Sequence, residues 1–225
     1  MLIAIGQGNG SYHDESDWGM DFWHVGDSLG AGGLGVLDNG MARQLGDPQR
    51  IIATVEQPGP HYARLRIDDT GFTVGKRRFN LSAHYAIRAG SRLMEVSAAA
   101  SRGTPLVAGI SKYPDTVLIR SAPKSGWGYF GTWGRQSENG KDIVGMVLFY
   151  PVRLVTRTGD DGRSLYVVFQ NPAKARYAAA AAWVKEGGGI VSEAQFREYV
   201  SQMAGQLTRS GLSNARARAR IQQSN

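Results

Sequence analysis

Short runs rich in β-branched and aromatic residues, each closed off by a turn signal, recur from residue 33 to residue 170. A chain written this way builds antiparallel sheet. The pattern predicts strands near 33–37, 50–56, 61–67, 77–87, 91–100, 105–110, 115–120, 143–149, 152–158 and 164–170. Between them stand Asp38-Asn39-Gly40, Gln57-Pro58-Gly59-Pro60, Ala89-Gly90-Ser91, Tyr113-Pro114-Asp115 and Gly159-Asp160-Asp161-Gly162. Asn-Gly and Asp-Gly tolerate positive φ, and proline removes a ladder donor. Tyr62, Arg64 and Arg66 alternate with Ala63, Leu65 and Ile67, the mark of a half-buried strand. The run from Ile143 to Tyr150 is apolar throughout, so it is expected at the centre with both faces covered.

Two segments need separate treatment. In residues 174–185 five consecutive alanines favour helix, whereas Pro172 and the glycines at 187–189 suit an extended inner strand; we read strand. At the end, Ser192 and Gln195 form a capping box, and Phe196, Val200, Met203 and Leu207 fall on one stripe before Gly211. This predicts an amphipathic helix over 192–208 that packs on the sheet. The expected organisation is one all-β sandwich domain over 1–211, closed by that helix, and a basic, disordered tail over 212–225.

Composition narrows the function classes. The formal charge is +7, but Arg209, Arg216, Arg218 and Arg220 lie beyond the last periodic segment, and setting them aside leaves 22 basic residues against 19 acidic ones. A body so nearly balanced lacks the electrostatic footprint of a nucleic-acid binder. There is no cysteine, which excludes disulfides, thiolate metal sites and a cysteine nucleophile. No apolar run approaches the ~20 residues that span a bilayer, and Met1-Leu2-Ile3-Ala4-Ile5 is too short for an export signal.

The densest chemistry lies in residues 11–37, where histidines, carboxylates, aromatic rings and glycines crowd together. Asp21 and His24 stand three apart, with His13 eight before Asp21. The set reads as a proton-transfer group or as ligands of a divalent metal, though the spacing favours no particular ion. It also reads as a buried histidine donating to a turn carbonyl, with Asp21 capping that turn. We assign no metal and no cofactor. Gly30, Gly32, Gly33 and Gly35 do not make a phosphate loop, because Val36, Leu37 and the Asn39-Gly40 turn predict strand and hairpin where a helix is required. Close approach of backbones is the expected reason for them.

His13, Trp18-Gly19, Asp21, Trp23-His24-Val25-Gly26, Leu29-Gly30 and Gly32-Gly33 together resemble the G-x-D-x-[YW]-x-V-G-x-[ST]-L-G-x-G-G stretch of the domain of unknown function 4861 family. The resemblance extends over most of the chain, through Pro58-Gly59-Pro60, the hairpin region between Ile87 and Glu95, and the alanine-rich strand and helix. It departs at Ala31, where a cysteine or serine is usual. It implies an antiparallel β-supersandwich similar to galactose mutarotase and related carbohydrate-processing domains, in bacteria that dismantle uronate-rich polysaccharides. Members are usually longer and start with an export signal, so the chain looks like a carboxy-terminal portion of a periplasmic or secreted protein. A sandwich left incomplete at its amino terminus would carry an open sheet edge.

Set beside this resemblance, the residues suggest a site for an oligosaccharide. Trp127, Tyr129, Phe130, Trp133 and Arg135 sit in a glycine-punctuated run that reads as a loop. Exposed rings stack on sugar faces and arginine pairs with a uronate carboxylate; the alternative is aromatic core between glycine turns. Trp18, Trp23 and Lys112 complete the expected substrate-binding set. Proton abstraction next to a carboxylate, as in a lyase, dehydratase or epimerase, needs a cation, a base and an acid. Arg135 or Lys112 would be the cation, His24 oriented by Asp21 the base, and His13 or Tyr12 the acid. A noncatalytic carbohydrate-binding domain and a truncated inactive family member are the alternatives. His84, on an alternating strand, is expected in a surface or cross-strand role.

Overall fold

A computed structural model of the chain describes residues 25–136 and 141–223, with side chains described through residue 210 of the last helix. Two antiparallel sheets lie face to face and one helix covers the outer side of the larger sheet, which makes the protein an all-β sandwich. The smaller sheet contains β1 (Ala31–Asp38), β2 (Met41–Gln44), β7 (Leu106–Ser111), β11 (Val155–Asp160) and β12 (Ser164–Phe169), in the order β11-β12-β7-β1-β2. The larger contains β3 (Arg50–Gln57), β4 (Tyr62–Val74), β5 (Arg77–Arg88), β6 (Met94–Ala100), β8 (Thr116–Ser121), β9 (Trp127–Arg135), β10 (Ile143–Pro151) and β13 (Lys174–Trp183), ordered β3-β4-β5-β6-β13-β10-β9-β8.

The expected strands are present, except that Val152–Leu154, read as the start of a strand, form a 3-10 turn ahead of β11; the Asn39-Gly40 hairpin has positive φ at both residues, 49° and 81°. Two strands differ from the sequence reading. β2 is too short to show a pattern, and residues 127–135, read as a loop, form β9. Its glycines serve packing: a Cβ on Gly131 would lie 2.5 Å from the Met146 carbonyl oxygen, and one on Gly128 would lie 2.9 Å from the Tyr150 ring. The glycines around β1 act likewise, with a Cβ on Gly33 or Gly35 falling 2.3 Å from the carbonyl oxygens of Leu29 and Arg43.

β10 divides two cores. Met146, Leu148 and Tyr150 face the smaller sheet, among Leu106, Ile110, Phe130, Leu165 and Tyr177. Val147 and Phe149 face the helix α1 (Glu193–Gln223), whose Phe196, Val200, Met203 and Leu207 form the predicted stripe. The alanines of β13 let the layers meet closely: a Cβ on Gly32 of β1 would fall 2.3 Å from the Ala179 methyl, and the Tyr177 hydroxyl donates to the Gly32 carbonyl at 2.8 Å. At the start of α1, Gln195 N–H donates to the Ser192 hydroxyl at 3.3 Å, and the Gln195 side chain accepts from Val191 N–H at 2.9 Å. The helix continues past Gly211 to Gln223, beyond the predicted end at 208. Alanine and arginine, which alternate there, are both strong helix formers.

Candidate functional site

The sandwich opens along one border, where β8 ends the larger sheet and β11 ends the smaller. Between them lies a cleft of about 350 Å³, within the range of small-ligand sites. One wall carries Leu118, Arg120, Phe130 and Tyr150, and the other Thr158, Gly159, Asp160 and Leu165. The alternation of β8 explains the first wall, since Leu118 and Arg120 share the inner side of the sheet. Arg120 lies opposite Phe130 in the β8–β9 register. Phe130 in turn packs against Tyr150, ring centroids 6.0 Å apart, so the cleft floor is aromatic.

The charges at the mouth are arranged unequally. Lys112 Nζ donates to Asp160 Oδ2 at 2.7 Å, and Gly162 N–H donates to Asp160 Oδ1 at 2.9 Å. The Lys112 hydrogen bond, with help from the Gly162 amide and the Arg120 charge, holds the Asp160 carboxyl below the usual aspartate value. Arg120 feels the Asp160 charge but makes no hydrogen bond or ion pair with another described residue. Among the described residues, then, the mouth holds one neutralised pair and one cation with its donors unspent. Burial raises the Tyr150 phenol, against the opposing charge of Arg120, so Tyr150 stays protonated at neutral pH and remains a donor.

The first described residues are pinned at the same end. Arg163 Nη1 donates to Asp27 Oδ2 at 2.8 Å, and Leu29 N–H donates to the Ser164 hydroxyl at 3.0 Å. Gln44 Nε2 donates to the carbonyls of Gly26 and Ser28, both at 2.8 Å. Arg163 lies in the turn that follows Asp160 and Ser164 opens β12 after it, which ties the Val25–Leu29 stretch to the turn that bounds the cleft.

Of the predicted site residues, Tyr12, His13, Trp18, Asp21, Trp23 and His24 lie outside the described residues. Lys112 stands at the cleft mouth but is committed to Asp160. Trp127 and Trp133 are only 9% and 6% exposed, and Trp133 stacks on Phe196 at 5.2 Å beneath the helix. They occupy the core role weighed for them rather than a sugar platform, because α1 covers this face of β9. Arg135 is exposed at the far end of β9, six residues from Tyr129 and so about 20 Å along the strand. What that run contributes to the cleft is Tyr129 and Phe130. Arg120 was missed; the signal for it is a charged side chain at a period-two position shared with Leu118.

His84 has the expected cross-strand role, its Nδ1 lying 3.0 Å from Glu56 Oε2. Among the described residues no group of three or more histidine or acidic side chains could hold a metal ion. No described helix is long and apolar enough to cross a membrane.

A family model described as "Domain of unknown function (DUF4861)" matches residues 2–210. The chain belongs to this family. No curated protein and no solved structure matches it. In this DUF4861 chain the matched span takes in both sheets, the cleft between β8 and β11, and the part of α1 that packs on β9 and β10.

Proposed function

We propose that this DUF4861 chain processes uronic-acid-containing oligosaccharides, and that the cleft between β8 and β11 seats the acidic sugar. The observation that carries the reading is Arg120: a guanidinium without a hydrogen-bond or ion-pair partner among the described residues, at the mouth of an aromatic-floored cleft sized for a small ring. A planar carboxylate accepts two parallel bonds from such a fork, and the rings of Phe130 and Tyr150 offer apolar area to sugar C–H faces. Neutralising the carboxylate also makes the adjacent carbon acid more acidic.

In the eliminating form of the reaction, a base takes the proton from the carbon next to the carboxylate. That C–H electron pair becomes a carbon–carbon double bond, and the bond to the departing oxygen breaks as an acid protonates it. His24, oriented by Asp21, is the proposed base, and His13 or Tyr12 the acid. His24 adjoins Val25 in sequence, and the stretch beginning at Val25 is held to the turn that bounds the cleft.

One observation favours a second reading, a noncatalytic sugar-binding domain: the described lining contains no histidine, and its carboxylate is tied to Lys112. Calorimetry with uronate and neutral oligosaccharides tests the cleft. Arg120→Ala should weaken uronate binding by about tenfold or more, the worth of a charge-assisted bond, and leave neutral sugars unaffected. Equal affinity for the uronate in both proteins would remove the cleft from the account. His24→Ala separates the two readings: loss of unsaturated product with binding retained supports catalysis, whereas a wild-type protein that binds without turnover supports the second.

A further inference from the structure

At the border opposite the cleft, β3 ends the larger sheet, and among the described residues it pairs only with β4. It carries neither proline nor lysine, two common devices that protect a free edge. Its one bulge lies near its end, between Val55 and Gln57, so Arg50 to Val55 stay regular. Ile51 and Val55 are 61% and 69% exposed and point to the same side as Leu65 and Ile87, which are also exposed. Arg50 makes no hydrogen bond or ion pair with another described residue.

The order of residues in β3 shows what suits this edge. About Ala53, the strand is complementary to its own reverse. A second copy, antiparallel across a two-fold axis at Ala53, sets Ile51 beside Val55, Ile52 beside Thr54 and Arg50 beside Glu56. Ile51 and Val55 then meet each other, Ile52 meets Thr54, and the Arg50 guanidinium, without a partner among the described residues, falls near the Glu56 carboxylate at the bulge. Glu56 is already held in place by Arg64 at 2.8 Å and His84 at 3.0 Å. An isologous interface requires such self-complementarity, whereas an unrelated partner strand does not. We infer that the occupant of this edge is a second copy of the chain, with β3 pairing to β3 in that register and joining the two larger sheets.

The absence of cysteine makes the register directly testable. Directly opposed residues in an antiparallel pair have Cα atoms about 4.5–5.5 Å apart, within disulfide range. Under a mild added oxidant such as diamide, Ala53→Cys in the full chain should cross-link to itself. Ile51→Cys or Val55→Cys alone should not, but a mixture of the two should. By light scattering on a sizing column, the wild type should show twice the 24.4 kDa chain mass, and Val55→Lys, at an exposed position, the single mass with an unchanged melting temperature. Wild type that stays monomeric at high micromolar concentration overturns the inference and leaves the edge to another segment or partner. So does a dimer that survives Val55→Lys, or cross-linking that is equal at all three positions.

Discussion

Asp69 places a carboxylate on the mostly apolar inner side of β4, in register with Leu81 and Ile51. Partial burial raises its pKa above the aspartate value of 3.8, and the neighbouring charge of Asp68 adds to the effect. The ionised form is therefore disfavoured by folding, a cost that is fully present above the folded pKa and fades as pH falls toward 3.8. Asp69→Asn should raise the melting temperature at pH 7 and leave it unchanged near pH 3; calorimetry at the two pH values checks the sign. Arg120 and Trp133 teach a related lesson about reading single residues. Residue type suggested an indole for sugar and passed over the arginine. Which side of a strand is covered decides the matter instead, and here α1 covers the tryptophan face while the border exposes the arginine.

Among the elements, those with a strong local period were legible, and the ones shaped by their neighbours were not. The stripe of α1 and the continuous apolar run of β10 stand in the structure as the residues announce them. β9 was unreadable because Gly128, Gly131 and Gly134 look like turn signals, and their reason lies in the Tyr150 ring, the Met146 carbonyl and the Asp115 carbonyl. β13 shows the reverse conflict: its alanines favour a helix in isolation, but pairing on both sides with β6 and β10 overrides that preference. The attachment of α1 rests heavily on Phe196, which is fully buried, stacks on Trp133 and fills the space that a Cβ on Gly145 would need. Phe196→Ala should cost about 3–5 kcal/mol, the usual penalty for emptying such a site, as measured by denaturant unfolding.

For the molecule as a whole, strand order came from pairings that no local pattern encodes: β7 lies between β1 and β12, and β13 between β6 and β10. The location of the two borders, and hence of the cleft and of the edge left unpaired among the described residues, follows from that order and from the way the sheets stack. The two cores share β10, residue by residue on alternate sides. Loss of either core exposes the strand that supports the other, so thermal unfolding should be one transition with equal calorimetric and van't Hoff enthalpies. Two separated transitions would show that the helix layer and the sheet pair come apart independently.

The contact between Gly32 and Ala179 has a further effect at a distance. At that contact only the Ala179 methyl separates β13 of the larger sheet from the backbone of Gly32 in β1 of the smaller one. A bulkier residue there would overpack the contact and push the two sheets apart. An alanine on a strand that lines no part of the cleft thus sets the spacing of the sheets that form its two walls.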